Sequence, residues 1–89
     1  MQLYATLKQI RYKPLPKWEE MDAEVLVEDI LRHADNLTQQ YPYSRKYNIL
    51  YETVIDVLAD MPADKVREEY SEYVAYCNNR KTVAVGGGL

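Results

Sequence analysis

Apolar residues recur at every third or fourth position through most of this chain, and that spacing predicts helices. The clearest stripe is Ala23, Leu26, Val27, Ile30, Ala34 and Leu37, which places a helix over about residues 19–37. Tyr41-Pro42-Tyr43 interrupts the pattern. Ser44 then suits an N-cap, because its hydroxyl can accept from a backbone N–H one turn on. Tyr47, Leu50, Tyr51, Val54, Ile55, Leu58 and Met61, widened by Ile49 and Val57, predict a central helix over about 45–60, packed on more than one side. Pro62 stands where a first helical turn tolerates proline. Val66, Tyr70, Tyr73, Val74 and Cys77 form a further stripe, with Asn78-Asn79 as its expected stop.

The two ends are less decided. Leu3, Tyr4, Leu7 and Ile10 follow helical spacing, while Tyr4, Thr6, Ile10 and Tyr12 would share one face of a strand; the helix is favoured. Pro14 and Pro16 end that segment either way, since each removes a backbone donor and restricts the residue before it. Gly86-Gly87-Gly88 makes an ordered C-terminus costly in backbone entropy, and Thr82 to Val85 offers one short strand beside the N-terminal segment. The expectation is a mainly α, single-domain bundle of three or four helices, with an N-terminal segment 1–18, a helical core 19–79 and a flexible tail 80–89.

Composition narrows the chemistry. With 89 residues, 47 % of them apolar and 28 % charged, the chain can hold one core and has little room for a deep cleft as well. It contains one histidine, His33, one cysteine, Cys77, and no glycines outside the terminal run. That removes an intrachain disulfide, a Cys/His metal pattern and a glycine-rich phosphate loop. His33 reads as a partly covered edge residue and Cys77 as a buried, inert thiol. No catalytic residue, cofactor or metal is expected, and the chain reads as non-enzymatic. No apolar run resembles a signal peptide or a membrane span, so it also reads as cytoplasmic.

The net charge is −3, yet the charge is segregated. Lys8, Arg11, Lys13 and Lys17 make the first segment basic, whereas acids dominate residues 19–36 and 52–72. Glu20, Glu24 and Glu28 are spaced by four, as are Glu52, Asp56 and Asp60, and again Asp64, Glu68 and Glu72. On a helix each set stacks into a row, and like charges at this spacing cost about 0.2–0.5 kcal/mol per pair. Either the basic segments fold back onto these rows or the rows form a docking face. The candidate partner-binding residues are therefore Glu52, Asp56, Asp64, Glu68 and Glu72, with Tyr76 as an aromatic anchor. Their partner would be a protein with a basic surface, including a groove that normally holds nucleic acid.

Nine tyrosines, one tryptophan and no phenylalanine are unusual. Tyr47, Tyr51, Tyr70 and Tyr73 fall on core stripes, where their hydroxyls need partners, and Tyr41, Tyr43 and Tyr76 fall off them. In Tyr41 to Tyr47, the basic residues Arg45 and Lys46 interleave with aromatics, which makes Tyr43, Arg45 and Lys46 an alternative nucleic-acid contact. Direct nucleic-acid binding remains the lesser reading for an acidic chain. A homodimer is open if one chain cannot cover the wide stripe of 45–60. Finally, Lys46-Tyr47-Asn48, Val54-Ile55, Pro62 and the run from Arg67 to Ala75 resemble the theta subunit family of bacterial DNA polymerase III. The likeness spans about residues 20–77 with gaps, and total charge and tail differ from that family. It implies a non-catalytic stabilising subunit that docks on a nuclease.

Overall fold

The computed structural model describes residues 2–87, and the side chains of residues 2–80. It is an all-α bundle. Among the described residues are four helices, α1 (Gln2–Gln9), α2 (Ala23–Gln40), α3 (Arg45–Ala59) and α4 (Ala63–Gly87); a long connection over residues 10–22, with a 3-10 turn at Trp18–Glu20, joins α1 to α2, and short ones join the rest. There is no strand among the described residues, so the N-terminal segment is the favoured helix. Its buried face is Leu3, Thr6, Leu7 and Ile10, the three- and four-residue spacing of its apolar stripe with Thr6 added.

α1 ends in two backbone bonds that satisfy its last carbonyls. Tyr12 N–H donates to Leu7 O at 3.1 Å and Arg11 N–H to Lys8 O at 3.2 Å, with Arg11 at φ 51°. That is the bond pair of a Schellman stop, made with arginine at the position usually held by glycine. The chain then runs back along α4 through Pro14 and Pro16. Lys17 is again left-handed at φ 58°, and it turns the chain into the 3-10 turn.

Two boundaries differ from the sequence expectation. α2 begins at Ala23 rather than near Glu19, because Asp22 is extended and Trp18 is drawn onto the Tyr70 ring, 5.3 Å between centroids. Glu19 and Glu20 therefore lie before α2, and the acidic row Glu20-Glu24-Glu28 is not continuous. α4 runs through Asn78-Asn79 to Gly87, across the expected stop and the expected strand at Thr82 to Val85. Asparagine is only a weak helix breaker, and no described glycine takes the left-handed conformation that ends a helix. Of the tail read as flexible, residues 88 and 89 and the side chains beyond 80 lie outside the described residues. Ser44 caps α3 as expected, accepting from Tyr47 N–H at 3.4 Å.

α1 packs on α3 and α4, and α2 packs on the same two helices from the other side. α3 and α4 follow one another in the chain but are held apart by α1 and α2. Direction follows from the contacts. Tyr4 N–H donates to Glu69 Oε1 at 3.0 Å and the Lys8 ammonium lies over the Tyr76 ring, so α1 runs parallel to α4. Gln9 lines a groove with Lys46 and Ile49 while Gln2 lines one with Asp56 and Asp60, so α1 runs antiparallel to α3.

The core gathers where α1, α2 and α4 meet, around Leu3, Leu7, Leu26, Ile30, Val66 and Tyr70. α3 contributes only Leu50 and Val54 as buried residues, and it is less central than its wide stripe predicts. Ile49 and Ile55 remain 52 % and 41 % exposed. Six residues apart, they flank opposite sides of the buried stripe and do not form one apolar patch.

Candidate interaction surfaces

Inside the bundle, hydroxyls replace what phenylalanine would have left apolar. Tyr12 Oη lies 2.6 Å from Asp29 Oδ2 and 3.0 Å from Tyr70 Oη, and Tyr70 Oη accepts from Leu15 N–H at 2.8 Å. A carboxylate only accepts, so the Tyr12 proton points at Asp29 and the Tyr70 proton at Tyr12. Tyr73 O–H donates to Tyr12 O at 2.7 Å. Burial, reinforced by the Asp29 bond, pushes the Tyr12 phenol well above its ordinary range; burial does the same to Tyr70 and Tyr73. These phenols stay protonated and structural. Glu69, 6 % exposed, serves α1 by accepting one of its first-turn N–H groups. His33 is half-buried, its Nε2 donating to Ile10 O at 2.7 Å.

The acidic candidates are all on the outside. Glu52, Asp56, Asp64, Glu68 and Glu72 are exposed. Asp56 and Asp60 border a groove against α1 with Gln2, Ala5 and Gln9. Asp64 and Glu68 lie on the first turns of α4. Among the described residues there are two ion pairs, Arg32–Asp29 and Lys65–Glu68, both three residues apart within one helix. No basic residue of the N-terminal segment folds back onto an acidic row. The two rows belong to helices held apart by α1 and α2, and they come nearest in the chain at the turn between α3 and α4.

Tyr76 is set apart from these acids. It is half-buried midway along α4, stacked on Tyr73 at 5.9 Å, with the Lys8 ammonium 4.8 Å and the Arg80 guanidinium 5.7 Å from its ring centre. Row 64-68-72-76-80 of α4 thus changes from acidic to aromatic to basic along its length. The end of α1 beside Arg80 carries Arg11 and lies against the start of α3. There Tyr43 is 99 % exposed, Arg45 and Lys46 are exposed, and Tyr41 stacks on Tyr47 at 5.2 Å.

Lys8, Arg11 and Arg80 thus gather where α1 ends, while Asp56 and Asp60 lie beside Gln2 where it begins, an end that also carries Lys65 and Arg67. Sequence spacing found each row but not this sorting, which depends on which helices run parallel. No protein-family model, curated protein or solved structure matches the chain. No group of three or more His, Cys, Asp or Glu residues suited to a metal occurs among the described residues, and no described helix is long and apolar enough to cross a membrane. Cys77 is half-buried rather than enclosed, because α1 and the segment 12–18 cover it from two sides and leave a cavity on each.

Proposed function

We propose that this chain is a non-enzymatic protein-interaction domain, an accessory subunit or inhibitor that docks on a basic protein surface through its acidic helix faces. The observation that supports this is the absence of internal neutralisation. The rows Glu52-Asp56-Asp60 and Asp64-Glu68-Glu72 are exposed, and of these six only Glu68 has an ion-pair partner among the described residues, the equally exposed Lys65. Six carboxylates held at repulsive spacing cost stability, and opposite charge on a partner would recover it. The turn Asp60-Met61-Pro62, where the rows come nearest in the chain, is the centre of the proposed face, with Asp56, Asp64 and Glu68 around it and Glu52 and Glu72 at its margins. Complementary charge speeds encounter, and a polymerase- or nuclease-like groove is one basic surface of this kind.

The test is charge reversal at Asp64→Lys with Glu68→Lys, both exposed and outside the core. Affinity capture from the native cell should recover a shared partner with the unaltered protein, with binding that weakens as salt rises. The variant should lose it. Retention by both forms with the same salt dependence would end the acidic-face reading.

A second reading is favoured by one observation, the complete exposure of Tyr43 beside Arg45 and Lys46. A solvent-facing aromatic flanked by cations suits base stacking with phosphate contact. A single-stranded oligonucleotide should then shift in a low-salt gel with the unaltered protein and not with Tyr43→Ala. No shift at high micromolar protein disposes of it.

A further inference from the structure

Where α1 ends against α4 lies a cavity of about 370 Å³, lined by Lys8, Arg11, Tyr73, Tyr76, Cys77 and Arg80. Its charged residues are three cations, and no acid lines it among the described residues, although the chain has 14 carboxylate residues against 11 lysines and arginines. The three cations are exposed, and none is in an ion pair among the described residues. The Lys8 ammonium lies 5.2 Å from the centre of the Tyr4 ring and 4.8 Å from that of Tyr76. Arg80 donates from Nη1 to Tyr76 Oη at 3.4 Å, one bond for a group with several N–H donors. Ring faces and a single phenol answer a cation only in part, so positive charge is left unmatched around one opening.

Arg11 supplies a second, independent observation. It stands at φ 51°, in the left-handed conformation, at the position that ends α1. A Cβ is crowded there, and glycine would make the same stop with less strain. A strained residue whose side chain has no polar partner among the described residues, yet lines the cavity, points to a ligand rather than to the fold. Lys8 is accounted for without one, as a cation in the last turn of α1; Arg11 and Arg80 are not. Guanidiniums offer paired N–H donors to an oxyanion, and a doubly charged tetrahedral one can accept from all three cations. We infer that this groove is an oxyanion site that takes a phosphate group, as the free ion or on a small phosphomonoester. Its volume is at the low end of small-molecule sites, roughly 300–1,000 Å³, which leaves room for a short ester. The site uses none of the acidic rows, so it stands or falls apart from the acidic face.

The probes are inorganic phosphate and glycerol 3-phosphate, with ionic strength held constant by sodium chloride. Amide shifts in two-dimensional NMR of the full chain should saturate with a half-point of about 1 mM or below, and acetate should bind about tenfold or more weaker. The shifts should gather near residues 8–12 and 73–80. A tighter ester means that its substituent uses the remaining space; an ester no tighter than the ion identifies free phosphate as the ligand. Arg80→Gln should weaken binding about tenfold or more. Arg11→Gly is the sharper variant. It should weaken binding to a similar extent while leaving the thermal midpoint unchanged or raised, because glycine suits that backbone position. An arginine kept only for the fold would do the reverse, lowering the midpoint and sparing the affinity. The site is overturned by no saturation with either probe at about 20 mM, by acetate binding as tightly as phosphate, by shifts centred on other helices, or by unchanged affinity in either variant.

Discussion

At the scale of single residues, the tyrosines divide by what their hydroxyls meet. Tyr70 Oη serves two partners at once, taking the Leu15 N–H and donating to Tyr12. Tyr70→Phe keeps the ring, leaves the Leu15 N–H without its acceptor and leaves Tyr12 Oη with Asp29 alone. Leaving such buried groups unpaired costs about 1–3 kcal/mol. A urea midpoint lowered accordingly is expected for Tyr70→Phe, whereas Tyr43→Phe, on a fully exposed ring, should move stability by less than about 0.5 kcal/mol. Equal effects would mean that the hydroxyl chain contributes nothing. The same chain sets an alkaline limit. Burial raises the folded-state affinity of Tyr12, Tyr70 and Tyr73 for their protons, while in the unfolded chain they ionise near 10.0. Above that value the unfolded state gives up protons that the folded state keeps. The stability contributed by these phenols is therefore complete below pH 10 and falls as pH rises past it. Denaturant midpoints at pH 9 and pH 11 should show a marked drop between them, and a drop of the same size in Tyr70→Phe would point to other groups.

At the scale of elements, local rules were legible and long-range ones were not. The spacing of Leu26, Ile30 and Ala34, and Ser44 as a cap, are properties of a few consecutive residues, and α2 and α3 lie close to where those residues place them. Glu69 carries no such signal, since its partner is Tyr4, 65 positions away. Nor does Trp18, whose docking on Tyr70 moves the start of α2 past Glu20. Asn78-Asn79 misleads because asparagine permits a stop without imposing one. α3 shows a further mismatch. Its first turn carries Arg45 and Lys46 and its end carries Asp56 and Asp60, so its charges oppose its own dipole. Arg45→Glu should therefore stabilise the protein by about 0.3–1 kcal/mol at low salt, read as a raised urea midpoint. A loss of stability would show that Arg45 has a structural partner that outweighs the dipole. A gain would mean that this residue is kept in place at the expense of its helix, the arrangement expected where a surface is held for binding.

At the scale of the whole molecule, the arrangement of charge makes a prediction that contact geometry alone does not. In most small domains opposite charges interleave, and salt weakens their attraction. Here the described ion pairs are two, both local and exposed, and exposed pairs contribute about 0–1 kcal/mol. Against them stand the repulsions along Glu52-Asp56-Asp60 and Asp64-Glu68-Glu72, each about 0.2–0.5 kcal/mol per neighbouring pair. Repulsion and attraction are both screened over a Debye length of about 10 Å at 0.1 M, so the sign of the salt effect reports which dominates. The four repulsive neighbour pairs along the rows outnumber the two ion pairs, and the bundle should gain about 0.5–1 kcal/mol between 20 and 300 mM sodium chloride, a rise of a few degrees in thermal midpoint for a chain of this length. Asp64→Lys with Glu68→Lys interrupts one row and should flatten that rise, while docking on a basic partner should weaken over the same range. A midpoint that falls with salt in the unaltered protein would mean that its charges already neutralise one another. The acidic faces would then have no unmet charge to offer a partner.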